Sequence, residues 1–229
     1  MVLGVHVQVL PAWINKIVSI EILRLAHNKI KKLPPLWGPF SQHLLELDLG
    51  YNLLSSIPQQ FTWMTALKIL DLSGNEIVSI PKSFGDCTAL EELHVNFCAL
   101  EVIDVHLAKC VKLTKFTYEG NEEMRYPPRE VQMKGAEAML KYFRQIIECP
   151  RTNIMLLDKF DLEEFDDKIL DYPNVTWLNL SDNAITSVMS CSPVTTLKRF
   201  FEQPLTAFWS SSDPVGSATA TKRGAGQHE

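Results

Sequence analysis

The stretch "LKILDLSGNEIVSIP", residues 67–81, decides how the chain is read. Leu67, Leu70 and Leu72 alternate as on a short strand, Gly74-Asn75 is a turn signal, and Ile77, Ile80 and Pro81 carry a second apolar edge. One such piece cannot close a core, so the frame must recur. It does, as "LLELDLGYNLLSSIP" at 44–58 and "IEILRLAHNKIKKLP" at 20–34. With the turn Asn as a ruler, Asn28 to Asn52 is 24 residues, and Asn75, Cys98 and Asn121 follow at steps of 23. One step back from Asn28 falls on Val5, followed at template positions by Val7, Leu10 and Pro11, so the chain reads as beginning inside a repeat.

The shared frame, L-x-x-L-x-L-x-x-N-x-L-x-x-L-P, resembles the leucine-rich repeat family through most of the chain. The resemblance implies an α/β repeat fold, a solenoid with a curved parallel sheet on its concave face. In such a coil the apolar residues of the L-x-L strand point into the stack and the residues between them face out. The turn Asn offers amide donors and an acceptor to backbone groups of neighbouring coils that are otherwise buried unpaired. Each coil leaves two faces open, and only stacking on its neighbours closes them.

After Asn121 the template asks for an apolar residue at 123 and meets Glu123, although Tyr126-Pro127 fills the later apolar-Pro position. The sequence then reads as one amphipathic helix over 129–148, started by Pro127 and Pro128 and striped by Ala136, Met139, Leu140, Phe143, Ile146 and Ile147. The frame returns in "VTWLNLSDNAITSV" at 175–188 with Asn183. Phe160 stands one period earlier, among Met155, Leu157, Leu162 and Phe165. From 121 to 160 is 39 residues, one period plus 16, so the helix is an insertion between repeats. The expected organisation is a repeat array over 1–126, an inserted helix over 127–150, two further repeats over 151–190, and an irregular tail over 191–229. The tail is rich in Ser, Ala, Thr and Gly and reads as disordered.

The block "YPPREVQMKGAEAMLKYFRQ" resembles the segment that closes arrays in intracellular leucine-rich repeat proteins of the Ras group, which includes Sur-8-like scaffolds and the Roco GTPases. A helix followed by a degenerate and then a clean repeat is similar to the leucine-rich-repeat-containing protein forty family. These resemblances imply a scaffold in intracellular signalling whose partner is a protein, such as a Ras-like GTPase or a phosphatase catalytic subunit. The alternative they leave open is a recognition arm or truncated isoform of a larger repeat-containing enzyme of the Roco type.

Composition narrows the classes. Lys and Arg number 22 against 27 Asp and Glu, which gives no basic excess for nucleic acid or anionic lipid. No run of 18 apolar residues spans a bilayer, and the apolar start "MVLGVHVQVLPAWI" lacks a basic leader and a cleavage site. Five cysteines without a pairing pattern fit a reducing compartment, and the expected location is the cytoplasm. Cys87 and Cys110 fall at an interior convex position and Cys98 replaces Asn at the turn, so packing accounts for them. No zinc spacing, phosphate-binding loop or nucleophile setting occurs; the expectation is no enzyme, no cofactor and no metal.

What remains is surface. The concave residues between the strand leucines are Arg24, Asp48, Asp71, His94, Thr117, Leu156 and Asn179. Two residues earlier stand Ile22, Glu46, Ile69, Glu92, Lys115, Ile154 and Trp177. Parallel strands lie roughly 4.8 Å apart, which predicts near-continuous rows. Glu46, Asp48, Asp71 and Glu92 form an acidic middle with Tyr51 and Phe97 at its edge. The candidate partner-binding set is Arg24, Glu46, Asp48, Tyr51, Ile69, Asp71, Glu92, His94, Phe97, Lys115 and Trp177, and a basic patch flanked by apolar anchors suits it.

Overall fold

The computed structural model describes residues 8, 10, 14, 16–33, 39–57, 61, 63–166, 169 and 171–186. Val5, Val7 and Pro11, and the tail over 191–229, lie outside the described residues. Five three-residue strands form one parallel sheet: β1 (Ile22–Arg24), β2 (Glu46–Asp48), β3 (Ile69–Asp71), β5 (Glu92–His94) and β7 (Lys115–Thr117). Their order in the sheet follows their order in the chain, so each coil is laid on the last. Register follows the period: Leu47 faces Leu70, Leu70 faces Leu93, and Leu93 faces Phe116. Leu47, Leu70 and Leu93 are fully buried, as are Leu49, Leu72 and Val95 at the next inward positions.

The opposite side of each coil is built from smaller pieces. β4 (Ser79–Ile80) pairs with β6 (Val102–Ile103), and Tyr126 extends this ladder by a bridge to Val102. The apolar residue of the template's apolar-Pro position thus has one structural role in three successive coils: to seal the convex edge. Beyond it run short 3₁₀ helices at Lys82–Asp86 and Val105–Lys109, packed on each other. Their approach is close enough to need Gly85, where an added Cβ would lie 2.4 Å from the backbone carbonyl oxygen of His106. Because the obstacle is backbone, Gly85→Ala is expected to destabilise the chain by about 1–3 kcal/mol, the range for overpacking, read as a lowered urea midpoint.

The helical segment differs from the single helix expected over 129–148. It is α1 (Arg129–Met133) and α2 (Ala136–Thr152), broken at Gly135, whose φ of 88° no continuing helix adopts. α2 carries Pro150 within its last turn and ends at Asn153 in the left-handed conformation. Its inward face holds Met139, Leu140, Tyr142, Phe143, Ile146 and Cys149, all buried. Tyr142 and Cys149 widen the stripe that spacing alone picks out.

α2 packs against the 3₁₀ helix Val105–Lys109, the same neighbour that the helix Lys82–Asp86 has on its other side. The inserted residues therefore enlarge the convex layer of one coil. The coil leaves β7, turns at Asn121, seals its edge with Tyr126, runs through α1 and α2, and returns in β8 (Ile154–Leu156). An α-helix is about 10 Å across where a coil advances roughly 4.8 Å. That mismatch separates β8 from β7. β8 pairs with β9 (Trp177–Asn179) in a second, two-stranded sheet, so the near-continuous rows expected through seven strands divide into five and two.

Two aromatic hydroxyls lock the enlarged coil to the next. Tyr142 on α2 donates to the carboxylate of Asp166, and Tyr126 interacts with both groups. The Tyr126 and Phe143 rings stack at 6.0 Å, and Tyr142 meets Phe160 edge-on at 5.2 Å. Burial, reinforced by the Asp166 charge, pushes both phenols well above the usual tyrosine range, so both stay neutral.

Candidate functional site

The turn asparagines hold the sheet in place. Asn75 donates to the carbonyls of Leu49 at 3.0 Å and Leu72 at 2.7 Å, and accepts from the Leu54 amide at 3.0 Å. Asn52, Asn121 and Asn183 repeat the arrangement, each bonding to its own coil and the preceding one. Cys98 keeps the donor role alone: its thiol points at the Leu72 carbonyl at 3.4 Å. Cys87 and Cys110 do the same work on the convex side, bonding to the carbonyls of Phe61 and Phe84. Burial pushes the Cys87 thiol up to about 12 and the Cys110 thiol up to about 11, which leaves both protonated and poorly nucleophilic.

On this frame the concave side chains stand in rows. Ile22, Glu46, Ile69, Glu92 and Lys115 are partners in register, and so are Arg24, Asp48, Asp71, His94 and Thr117. Ten of the eleven sequence-derived candidates are brought together on this sheet and its turns. Trp177 is not: it sits on the second sheet, where Ile154, Leu156 and Trp177 are exposed and the surface is apolar.

The charges are not equivalent. Arg24 bonds to Glu46 at 2.7 Å, and Lys115 bonds to Glu92 at 2.9 Å. The Lys115 bond, with help from His94, holds the Glu92 carboxyl below its ordinary range. His94 also meets Thr117 at 2.8 Å, Thr117 accepts from Asn96, and Asn96 reaches Ser73. These bonds knit the β3 to β7 half of the face. Asp48 and Asp71, side by side across β2 and β3, have no ion pair among the described residues. Each spends an oxygen on a turn amide, Asp48 on Gly50 at 2.9 Å and Asp71 on Ser73 at 2.8 Å.

The rim is a second row, one residue before each ladder position: His27, Tyr51, Gly74, Phe97 and Gly120. All five adopt positive φ, between 50° and 71°. From Tyr51 on, large and small alternate for a reason. A Cβ on Gly74 would lie 2.6 Å from the Tyr51 ring, and one on Gly120 would meet the Phe97 ring in the same way, so each aromatic lies flat over the next glycine. His27 stacks on the other side of Tyr51 with centroids 4.6 Å apart. Tyr51 is 52% exposed and Phe97 61%. The same period count that found the ladder reveals this row, but the stacking and the Ser73–Asn96–Thr117 network have no signal in the leucine frame.

Among the described residues no group of His, Cys, Asp and Glu is placed to hold a metal ion, and no helix is long and apolar enough to cross a membrane.

Fold and surface together define a leucine-rich repeat solenoid. Residues 18–77, its first three strands and their turns, match the leucine rich repeat family. No curated protein matches the chain. Among solved structures, the chain is similar to a leucine-rich repeat protein of Leptospira interrogans at 22% identity and a TM-score of 0.48, covering 79% of this chain and 42% of that one. It is similar to the functional domain of InlJ from Listeria monocytogenes, which includes a cysteine ladder, at 20% identity and a TM-score of 0.43, covering 74% of this chain and 31% of that one. It also resembles the ectodomain of the receptor kinase SOBIR1 from Arabidopsis thaliana at 25% identity and a TM-score of 0.44, covering 51% of this chain and 64% of that one. The chain therefore spans less than two thirds of each.

Proposed function

We propose that this chain is a non-enzymatic interaction scaffold that docks a partner protein on the concave face of its five-stranded sheet. The observation that carries the reading is the register itself. Five strands of three residues place charged, apolar and aromatic side chains in ordered rows on an unpartnered sheet. The backbone beneath is fixed by buried asparagines, so the rows are presented without the ordering cost of a flexible loop. Exposed aromatics beside charge are what protein interfaces use as anchors. The cytoplasm and a role in signalling, with a Ras-like GTPase or phosphatase subunit as partner, complete the proposal. Their support is the similarity of the 126–145 block to the intracellular Ras-group proteins.

The test is affinity capture from cell extract with quantitative mass spectrometry, comparing the native chain with an Asp71→Arg, Phe97→Asn variant. Asn tolerates the positive φ of position 97, so the turn survives. The expected outcome is loss of specific partners by at least tenfold with an unchanged circular dichroism spectrum. A partner list identical for both chains contradicts docking on this face.

A further inference from the structure

We infer that the concave face takes a basic side chain of its partner between Asp48 and Asp71, with an apolar neighbour of that residue laid against Tyr51 and Phe97. This rests on the scaffold reading above and names the chemistry of its partner. Three observations converge on it. First, the face carries four carboxylates in its middle strands, and the structure neutralises two of them, Glu46 with Arg24 and Glu92 with Lys115. The other two, Asp48 and Asp71, are adjacent and make no close ion pair among the described residues, Asp48 having only the longer-range attraction of Arg24 opposite it.

Second, that pair is held in place and held together. Bonds to the Gly50 and Ser73 amides fix each side chain, and one oxygen of each carboxylate converges on Gly50, where an added Cβ would lie 3.3 Å from Asp48 and 3.6 Å from Asp71. Like charges directly opposite on neighbouring strands are destabilising, and a bound cation removes that repulsion. Lys115 bonds to Glu92 and Arg24 to Glu46, and neither makes an ion pair with the two aspartates, so a cation in close contact with both comes from outside this sheet.

Third, the rim beside the pair is aromatic. Tyr51 follows Gly50 directly and lies over Gly74, in the coil of Asp71. The exposed edge of its ring, with the exposed Phe97 two coils on, offers an apolar surface on the same side. An arginine or lysine with a flanking aliphatic residue satisfies both features at once; an acidic residue with the same neighbour satisfies only the second.

The test uses the full ¹⁵N-labelled chain and two probes, acetyl-Leu-Arg-Leu-amide and acetyl-Leu-Glu-Leu-amide, followed by amide chemical shifts. The reporters are Gly50 and Ser73, whose N–H groups donate to the two carboxylates. The control is an Asp48→Asn, Asp71→Asn variant, in which the side-chain oxygens still accept from both turn amides. The expected result is saturable shifts at Gly50 and Ser73 with the arginine probe. Binding should be at least tenfold weaker for the glutamate probe and for the variant, whose melting temperature is no lower than that of the native chain. Equal binding by the variant overturns the inference. So does the absence of a saturable shift at these amides, or a response concentrated at Glu163, Glu164 and Asp171, exposed carboxylates of the later coils that lie off the five-stranded sheet. If capture depends on the concave face but the arginine probe gives no response, the scaffold reading stands and this inference falls. If the probe binds but capture is indifferent to the concave variant, the scaffold reading falls instead.

Discussion

Replacing Asn75 by alanine is expected to destabilise the chain by about 3–5 kcal/mol, of which about 1–3 kcal/mol is one buried amide left unpaired and about 1 kcal/mol is each of two further hydrogen bonds lost. The substitution strands the Leu54 amide and removes a donor from the carbonyls of Leu49 and Leu72, all in the dry interior between two coils. No water-sized replacement is at hand, because Leu49, Leu54, Leu72 and Ile77 around the amide are each at most 1% exposed. Urea unfolding of the native and Asn75→Ala chains checks the value through the shift in midpoint. Cys98→Ala is the internal control. It deletes one weak thiol donor at the corresponding place in the next coil, so its cost should be clearly smaller. Equal costs at 75 and 98 would mean that the side-chain volume, and not the hydrogen-bond ladder, fixes the coil spacing.

Phe143→Ala has an effect of comparable size for a different reason. Phe143 is fully buried on the inner face of α2, between the Tyr126 and Tyr142 rings, where the convex edge of one coil meets the helix. Removing a buried phenyl ring costs about 3–5 kcal/mol, part lost transfer energy and part cavity. The position matters as much as the volume. α2 is the layer that carries the chain from β7 to β8, and Tyr126, Tyr142 and Asp166 depend on its seating. Hydrogen exchange should therefore quicken in β8 and at the Leu157 amide, which bonds to Asn179, more than in β2 and β3. Uniform acceleration along all strands would show that the two sheets open as a single unit.

Much of this architecture was legible from Leu, Asn and Pro alone, because their spacing reflects two simple demands: a three-residue strand that buries alternate side chains, and a turn whose backbone needs an amide. Asn52, Asn75, Asn121 and Asn183 stand where the period puts them and bond as the period implies. The division of the sheet was not legible. Sixteen extra residues announce an insertion, but only packing shows that α2 replaces a thin 3₁₀ helix in the convex layer, and that its width carries β8 away from β7. The break at Gly135 was also hidden, since Met133 and Ala136 both fit a continued helix until the backbone is seen to turn through positive φ.

The candidate surface was half legible in the same sense. Counting placed Arg24, Glu46, Asp48, Asp71, Glu92, His94 and Lys115 on one face, and the register agrees. It could not say which charges cancel. That depends on side-chain reach between coils: Arg24 bonds to Glu46 and acts on Asp48 only at longer range, while Lys115 bonds to Glu92 and leaves Asp71 further along the sheet. The acidic middle expected from sequence is in the structure a single pair of unmatched carboxylates beside a row of stacked rings.

The central claim is that a protein partner covers the concave rows and their rim. Hydroxyl-radical footprinting of the captured complex tests it most directly, because it reads the exposure of individual side chains. Tyr51 and Phe97 on the rim, Met133 on α1 and Trp63 outside the rows are all exposed in the free chain, Met133 by 80%. The expected result is that oxidation of Tyr51 and Phe97 falls at least threefold in the complex while Met133 and Trp63 keep their free-chain rates. Protection of Met133 or Trp63 with Tyr51 and Phe97 unchanged would place the partner on another surface and contradict the account.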